Sequence, residues 1–301
     1  MKAAQVAHAN GVRTYLLDTS AFRALPAAQL ATASGIARLM VSPFCFWELL
    51  THLEEDGQFV RIKGNLMKFR HVAVLDDPRA AIEREIVRPG DSVHERVEDS
   101  DVIYATLAAL RESGSIDQFY ATQIRDRKDQ VRQVEACVRR AQEILEQEDR
   151  RFQAYLNQII MAVRSGGVSL ATPAAIHQGT IDVVNAWWIQ LGERVDQSDG
   201  IQERFVRREY VYSAYIVQRA VYYLERGATL VDANDFEDAG FCRHLSLDAG
   251  VTTVTADLGL QRCLERILAG LNRLEDTSYR TKMQVCGATE FFRALTIGVP
   301  D

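Results

Sequence analysis

The chain has no long hydrophobic run. No stretch approaches the roughly 18 consecutive apolar residues that a membrane-spanning helix needs. Cysteine is sparse and scattered. Cys45, Cys137, Cys242, Cys263 and Cys286 are odd in number and never form a Cys-x-x-Cys pair. That pattern is neither a disulfide framework nor a zinc site, and it suits a reducing cytosol. The opening residues, Met1 to His8, lack the apolar core of a signal peptide, so a cytoplasmic location and no membrane partner are expected. Basic charge is not in excess: the net charge is -6. Composition therefore does not advertise a nucleic-acid binder, although a local basic face can coexist with an acidic total. Histidine forms no pattern suggesting a general base; His244 reads as a packing or capping residue. Internal repeats and low-complexity segments are also missing. What remains is ordinary for a folded protein, with 301 residues, 47% hydrophobic and 25% charged. This allows one large domain or two modest ones.

The two ends of the chain alternate strand and helix. Residues 13–18 are a compact β-type run ending in Asp18, and Thr19 or Ser20 can cap the helix that follows. A phosphatase of the haloacid type would need a second Asp two residues on, where Ser20 stands. Rossmann and P-loop readings fail for want of a glycine-rich turn. Residues 37–42 form a second strand, and Ser42-Pro43 opens a helix that carries Glu48 inside an apolar run. A carboxylate there is either on the wet stripe or held inward by a partner charge or a metal. Residues 63–75 read as a helix leading to a short strand, and Asp77-Pro78 starts a further helix to about Val87. Near the other end, residues 234–248 make a helix in which Asp235 and Asp238 are neighbours. A strand over 251–255 leads to Asp257. The helix 261–271, the strand 283–286 and the helix 288–295 follow. Asn234 or Asp235 as a simple cap, and Asp257 as a simple turn residue, are the plain alternatives.

Between about residues 91 and 227 strand signals disappear. Residues 99–112 make an amphipathic helix. Ile124, Val131, Val138, Leu145, Phe152 and Ile159 recur every seven residues, with Val134, Ala141 and Tyr155 on an interleaved seam. No Pro or Gly falls between Gly114 and Gly166. The spacing predicts a continuous helix of about 45 residues, roughly 68 Å long, that needs a partner along its seam. That partner is either a returning helix or a second subunit. Gly166-Gly167 ends it, and 165–180 reads as a loop or break containing Pro173. Helices then resume over 180–192 and 201–226. On the latter, Arg208, Tyr212, Tyr215 and Arg219 share one face, with Arg204 a turn before. Arg and Tyr on one face can grip phosphates and stack bases. They can equally be tyrosines packed inward and covered by arginine stems.

Strand–helix alternation at both ends argues for a parallel sheet with helices on both faces. The whole reads as an α/β core in two parts, 1–90 and 228–301, interrupted by an all-helical insertion over 91–227. In this order the residues resemble the PIN-domain family. The resemblance is carried by Tyr15-Leu16-Leu17-Asp18-Thr19-Ser20, by Val41-Ser42-Pro43 with Trp47-Glu48-Leu49-Leu50, by Asp238-Ala239, by Val254-Thr255-Ala256-Asp257, and by the run from Met283 to Phe292. It covers roughly residues 13–87 and 229–298. The insertion departs from a small PIN domain, and so does the doubled Asp235/Asp238 pair.

The resemblance implies a metal-dependent nuclease, usually acting on RNA. It implies Asp18, Glu48, Asp238 and Asp257 as catalytic metal ligands, with Asp235 as a further acid. Physical chemistry agrees with the ligand type. Carboxylates gathered at strand ends repel unless cations neutralise them, and oxygen-only ligands select Mg²⁺ or Mn²⁺. Ser20, Arg204, Arg208, Tyr212, Tyr215 and Arg219 are the candidate substrate contacts. The expected function is an endoribonuclease with a role as a toxin, in defence or in RNA processing. A nuclease for structured DNA and a non-catalytic module that assembles as a homodimer or on a partner protein through the insertion are the alternatives.

Overall fold

The computed structural model describes residues 13–55, 57–78, 98–125, 130–166, 170, 172–191, 199–227 and 234–296. Its centre is a five-stranded, all-parallel sheet. Strands β1 (Thr14–Leu17), β2 (Arg38–Val41), β3 (Ala73–Val74), β6 (Thr252–Thr255) and β7 (Gln284–Gly287) lie in the order β3-β2-β1-β6-β7. β4 (Gln123–Arg125) and β5 (Val131–Gln133) form a separate antiparallel hairpin. The helices are α1 (Thr19–Ala24), α2 (Ala27–Ser34), α3 (Pro43–Thr51), α4 (Phe59–Leu66), α5 (Glu98–Glu112) and α6 (Ile116–Ala121). They continue with α7 (Val134–Arg164), α8 (Pro173–Leu191), α9 (Asp199–Arg226), α10 (Asn234–Cys242), α11 (Leu258–Leu271) and α12 (Ala288–Thr296). Among the described residues, no helix is long and apolar enough to cross a membrane.

Successive side chains on a strand point to opposite faces, and the central strand shows it. Tyr15 and Leu17 join a core with Phe22, Phe46, Val254 and Phe291, whereas Leu16 joins a second core with Val211, Tyr215, Leu260 and Leu264. Both faces of the sheet are therefore covered, as parallel sheets require. α9 belongs to the second core, so this helix packs against the sheet.

The central strands each run directly into a helix. β1 passes through Asp18, which caps α1 in place of the expected Thr19 or Ser20, because its carboxylate accepts from the Ala21 amide while those two residues lie in the first turn. β2 passes through Ser42, which caps α3 at the Phe44 amide, with Pro43 in the first turn. β6 leads to Asp257, which caps α11 at the Gly259 and Leu260 amides. Each cap satisfies amide donors that the first helical turn leaves unpaired.

The middle of the chain corrects several sequence expectations. The long helix begins at Val134 and has 31 residues, about 46 Å at 1.5 Å per residue. The first two heptad positions, Ile124 and Val131, lie instead on the β4–β5 hairpin. A seven-residue recurrence fixes where apolar side chains fall, not whether the backbone between them is helical. The seam is covered from within the chain, by α3 and α9. Gly166, at φ +78°, ends α7 in the left-handed conformation that glycine adopts freely. α8 starts at Pro173, earlier than expected, because the Thr172 hydroxyl accepts from the Ala175 amide and proline suits the first turn. α10 is shorter than expected, stopping at Cys242. Of the helix expected from Asp77 to about Val87, residues 79–87 lie outside the described residues.

Candidate functional site

In open parallel sheets the ligand crevice lies beyond the carboxyl ends of the strands, where the strand order reverses direction. Here that point falls between β1 and β6. The chain winds outward from β1 to β2 and β3, then returns to add β6 and β7 on the other side. Asp18 and Asp257 stand just past the ends of those two strands.

The two strand ends are tied together by hydroxyls. Asp18 accepts from Thr255 Oγ1 at 2.7 Å and from Ser20 Oγ at 2.7 Å, and its other oxygen accepts from the Ala21 amide at 2.6 Å. Ser20 Oγ in turn accepts from the Ala256 amide at 2.9 Å. Ser20, a candidate substrate contact, is thus a strut across the crevice. Asp18 is 4% exposed, and burial raises its pKa despite the bonds from Thr255, Ala21 and Ser20; the Asp257 charge raises it further. Three donors leave about one of the four acceptor positions of that carboxylate open.

Asp238 sits on α10. Burial, followed by the charges of Asp257 and Asp18, pushes its pKa up to about 8, against a hydrogen bond from Tyr215 Oη at 3.1 Å. The structure thus brings Asp18, Asp238 and Asp257 within electrostatic reach of one another. Glu48, on α3, is also pushed up to about 8, first by burial and then by the neighbouring Glu237. Thr19 and Arg23 oppose that shift, and Asp18 adds to it. Glu48 and Glu237 line a cavity of about 340 Å³ with Thr19 and His52. Glu237 escaped the sequence reading because a helix turns it well away from Asp238; its proximity to Glu48 depends on α10 packing beside α3. Thr255, equally missed, was legible only once β6 was known to lie beside β1.

Asp235 has a different role. It is 3% exposed, and its carboxylate meets Arg219 at 2.7 Å and accepts from Tyr223 Oη at 2.6 Å. Its charge is balanced within the protein, where it fastens α10 to α9. The Arg/Tyr face of α9 corrects the expectation of an open grip for RNA. Tyr212 and Tyr215 are 8% and 1% exposed. Arg219 is committed to Asp235 and stacks on Tyr222, 4.4 Å from the ring centre. Arg208 donates to the Arg243 carbonyl at 3.0 Å. Arg204 alone of this group is exposed, and its Nε donates to the Gly200 carbonyl. The face turned inward because tyrosine rings add more to a core than to a surface, and arginine can bury its stem beside them. His244 is half-buried, and desolvation, with the charges of Arg208 and Arg243, lowers its pKa to about 3. It therefore stays neutral and shares a 2.8 Å hydrogen bond with Ser42.

Asp18, Asp238 and Asp257 offer carboxylate oxygens, the donor type that hard divalent cations take. They do not form a closed cage. Among the described residues, no three His, Cys, Asp or Glu side chains converge closely enough to hold an ion unaided. Asp257 and Asp18 raise the pKa of Asp238, and Asp257 raises that of Asp18. Mg²⁺ keeps several waters and commonly binds through one or two carboxylates. Compared with protein-family models, curated proteins and solved structures, the chain finds no match.

Proposed function

We propose that this chain is a Mg²⁺- or Mn²⁺-dependent nuclease of the PIN-like type, hydrolysing phosphodiester bonds of RNA. The observation that supports this reading most directly is the pairing of Asp18 and Asp257 across the reversal of strand order, with Asp238 pushed up to about 8 beside them. Asp18, Asp238 and Asp257 are the residues that would hold the cation, with Glu48 at the edge of the group. A bound divalent ion polarises a phosphodiester and lowers the pKa of a coordinated water.

The protein's own contribution is positional. Thr255 and Ser20 fix the Asp18 carboxylate, and the α11 amides fix Asp257. Tyr215 donates to Asp238 and holds it in place. At neutral pH Asp238 carries a proton in the cation-free protein, so cation binding there displaces a proton.

The test is cleavage of labelled single-stranded RNA, structured RNA and DNA with Mg²⁺, Mn²⁺ or EDTA, with Asp18→Asn in parallel. Asn keeps a side-chain oxygen for the helix cap while removing the charge. Metal-dependent cutting that disappears in Asp18→Asn is the expected result, and the lane that is cut names the substrate. Equal cutting by parent and variant would overturn the assignment.

A further inference from the structure

A large cleft lies away from the acidic crevice. It has a volume of about 1070 Å³ and runs along α7, walled by α3, α8, α9 and α10; Asp18, Asp238 and Asp257 do not line it. Its walls are largely apolar and aromatic, including Trp47, Phe152, Tyr155 and Trp187. Two of its lining residues, Ile144 and Val131, are 43% and 50% exposed, so large apolar side chains face open space there. A cavity of this size, mostly apolar with a few polar groups, has the dimensions of a small-molecule site.

The charge in it is uneven. Four arginines, Arg132, Arg140, Arg151 and Arg243, line the cleft against two carboxylates, Asp77 and Glu148. Arg140 and Arg151 are paired along α7 with Glu143 and Glu148. Arg243 stands apart in its surroundings. It follows the last turn of α10, its side chain is only 13% exposed, and among the described residues the Glu209 carboxylate is 3.6 Å from Nε. Among the described residues that Nε has no hydrogen-bond partner. The guanidinium lies over two aromatic rings, 4.2 Å from the Tyr212 centre and 5.5 Å from that of Trp187. Glu209, Glu148 and Asp77 all favour its charged state. A planar cation held against ring faces, with loose ionic contacts and a large apolar space beside it, suits a ligand with one acidic group and an apolar body.

We propose that this cleft binds an amphipathic organic anion, its carboxylate or phosphate at Arg243 and its apolar body along α7 beside Ile144. This site is separate from the acidic crevice, and its occupancy does not depend on nuclease activity.

Calorimetric titration of the full chain with dodecanoate, 1-naphthyl phosphate and adenosine monophosphate tests it. The three probes separate aliphatic acids, aryl phosphates and nucleotides as the source of the shared chemistry. Dodecanol and dodecylammonium serve as controls without the negative head group. Saturable binding of at least one anion is expected, with both controls about tenfold weaker or more. Arg243→Met should weaken the anion roughly 10- to 100-fold. Because that change also leaves Glu209 without its cation, Ile144→Trp is the second variant. It fills the cleft from a partly exposed position on α7 and should abolish binding in a protein whose circular dichroism matches the parent. Absence of saturable binding by the folded parent up to about 1 mM would overturn the proposal. Equal affinity for dodecanol and dodecanoate, or unchanged binding by Ile144→Trp, would do the same.

Discussion

Replacing Asp238 by Asn should make the protein more stable, and by an amount that grows with pH. The folded-state pKa of Asp238 is pushed from 3.8 up to about 8, by burial first and then by Asp257, Asp18 and Asp235. In the unfolded chain the group ionises near its ordinary value. Between the two values the folded state binds a proton that the unfolded state does not, so stability is fully present below pH 3.8 and falls as pH rises towards about 8. The slope for one such group is about 1.4 kcal/mol per pH unit, so from pH 5 to pH 7 Asp238 alone costs about 3 kcal/mol. Asn cannot ionise and can still accept from Tyr215. Denaturant unfolding of parent and Asp238→Asn, in EDTA at half-unit steps from pH 5 to pH 8, gives the difference directly. Glu48 also titrates near 8, but it is present in both proteins and its slope largely cancels in the difference. The variant's advantage should widen by about 3 kcal/mol between pH 5 and pH 7. A difference that stays constant over that range would refute the claim that Asp238 is held protonated by burial among like charges.

Three further outcomes follow from the same geometry. Arg219→Met should destabilise the protein by about 3–5 kcal/mol, because Asp235 is left charged and buried; chemical denaturation should show the Arg219→Met, Asp235→Asn double variant recovering part of the loss. Asp257→Ser separates capping from charge: serine can still accept from the α11 amides, so stability should change by no more than about 0.5 kcal/mol. Metal-dependent cleavage by Asp257→Ser should nevertheless drop on the order of a hundredfold or more, as scored in the labelled-RNA assay. Finally, Mn²⁺ at ten times its dissociation constant should stabilise the parent by about 1.4 kcal/mol, seen as a raised thermal midpoint. The shift should be lost in Asp18→Asn, and an equal shift in both proteins would place the ion elsewhere.

Much of the sheet was legible because its signals are local. β-branched runs such as Thr252-Thr253-Val254-Thr255 favour strands, and Ser42-Pro43 announces a helix start irrespective of its surroundings. The acids at the strand ends were legible for the same reason, since Asp18 and Asp257 directly follow strand-like runs; that they, rather than Thr19 or Ser20, cap the next helices appears only in the structure. The heptad run was less informative. It correctly marked Val138, Ala141 and Phe152 as an inward stripe, but the same spacing continued through Ile124 and Val131, where the chain forms a hairpin.

The sequence by itself determined the strand–helix alternation, the Ser42-Pro43 helix start, and the position of Asp18 and Asp257 just past their strands. Each depends on neighbours a few residues away. Only the tertiary structure decided which acids face an unbalanced negative field and which are already neutralised. Asp235 and Asp238 are three residues apart on one helix, yet Arg219 of α9 balances the first, while Asp18 and Asp257 from distant strands repel the second. The direction of the Arg/Tyr face was decided in the same way. An amphipathic side chain carries both an apolar body and a polar tip, and its exposure is set by the core it meets, here the one beneath Leu16 and Leu264.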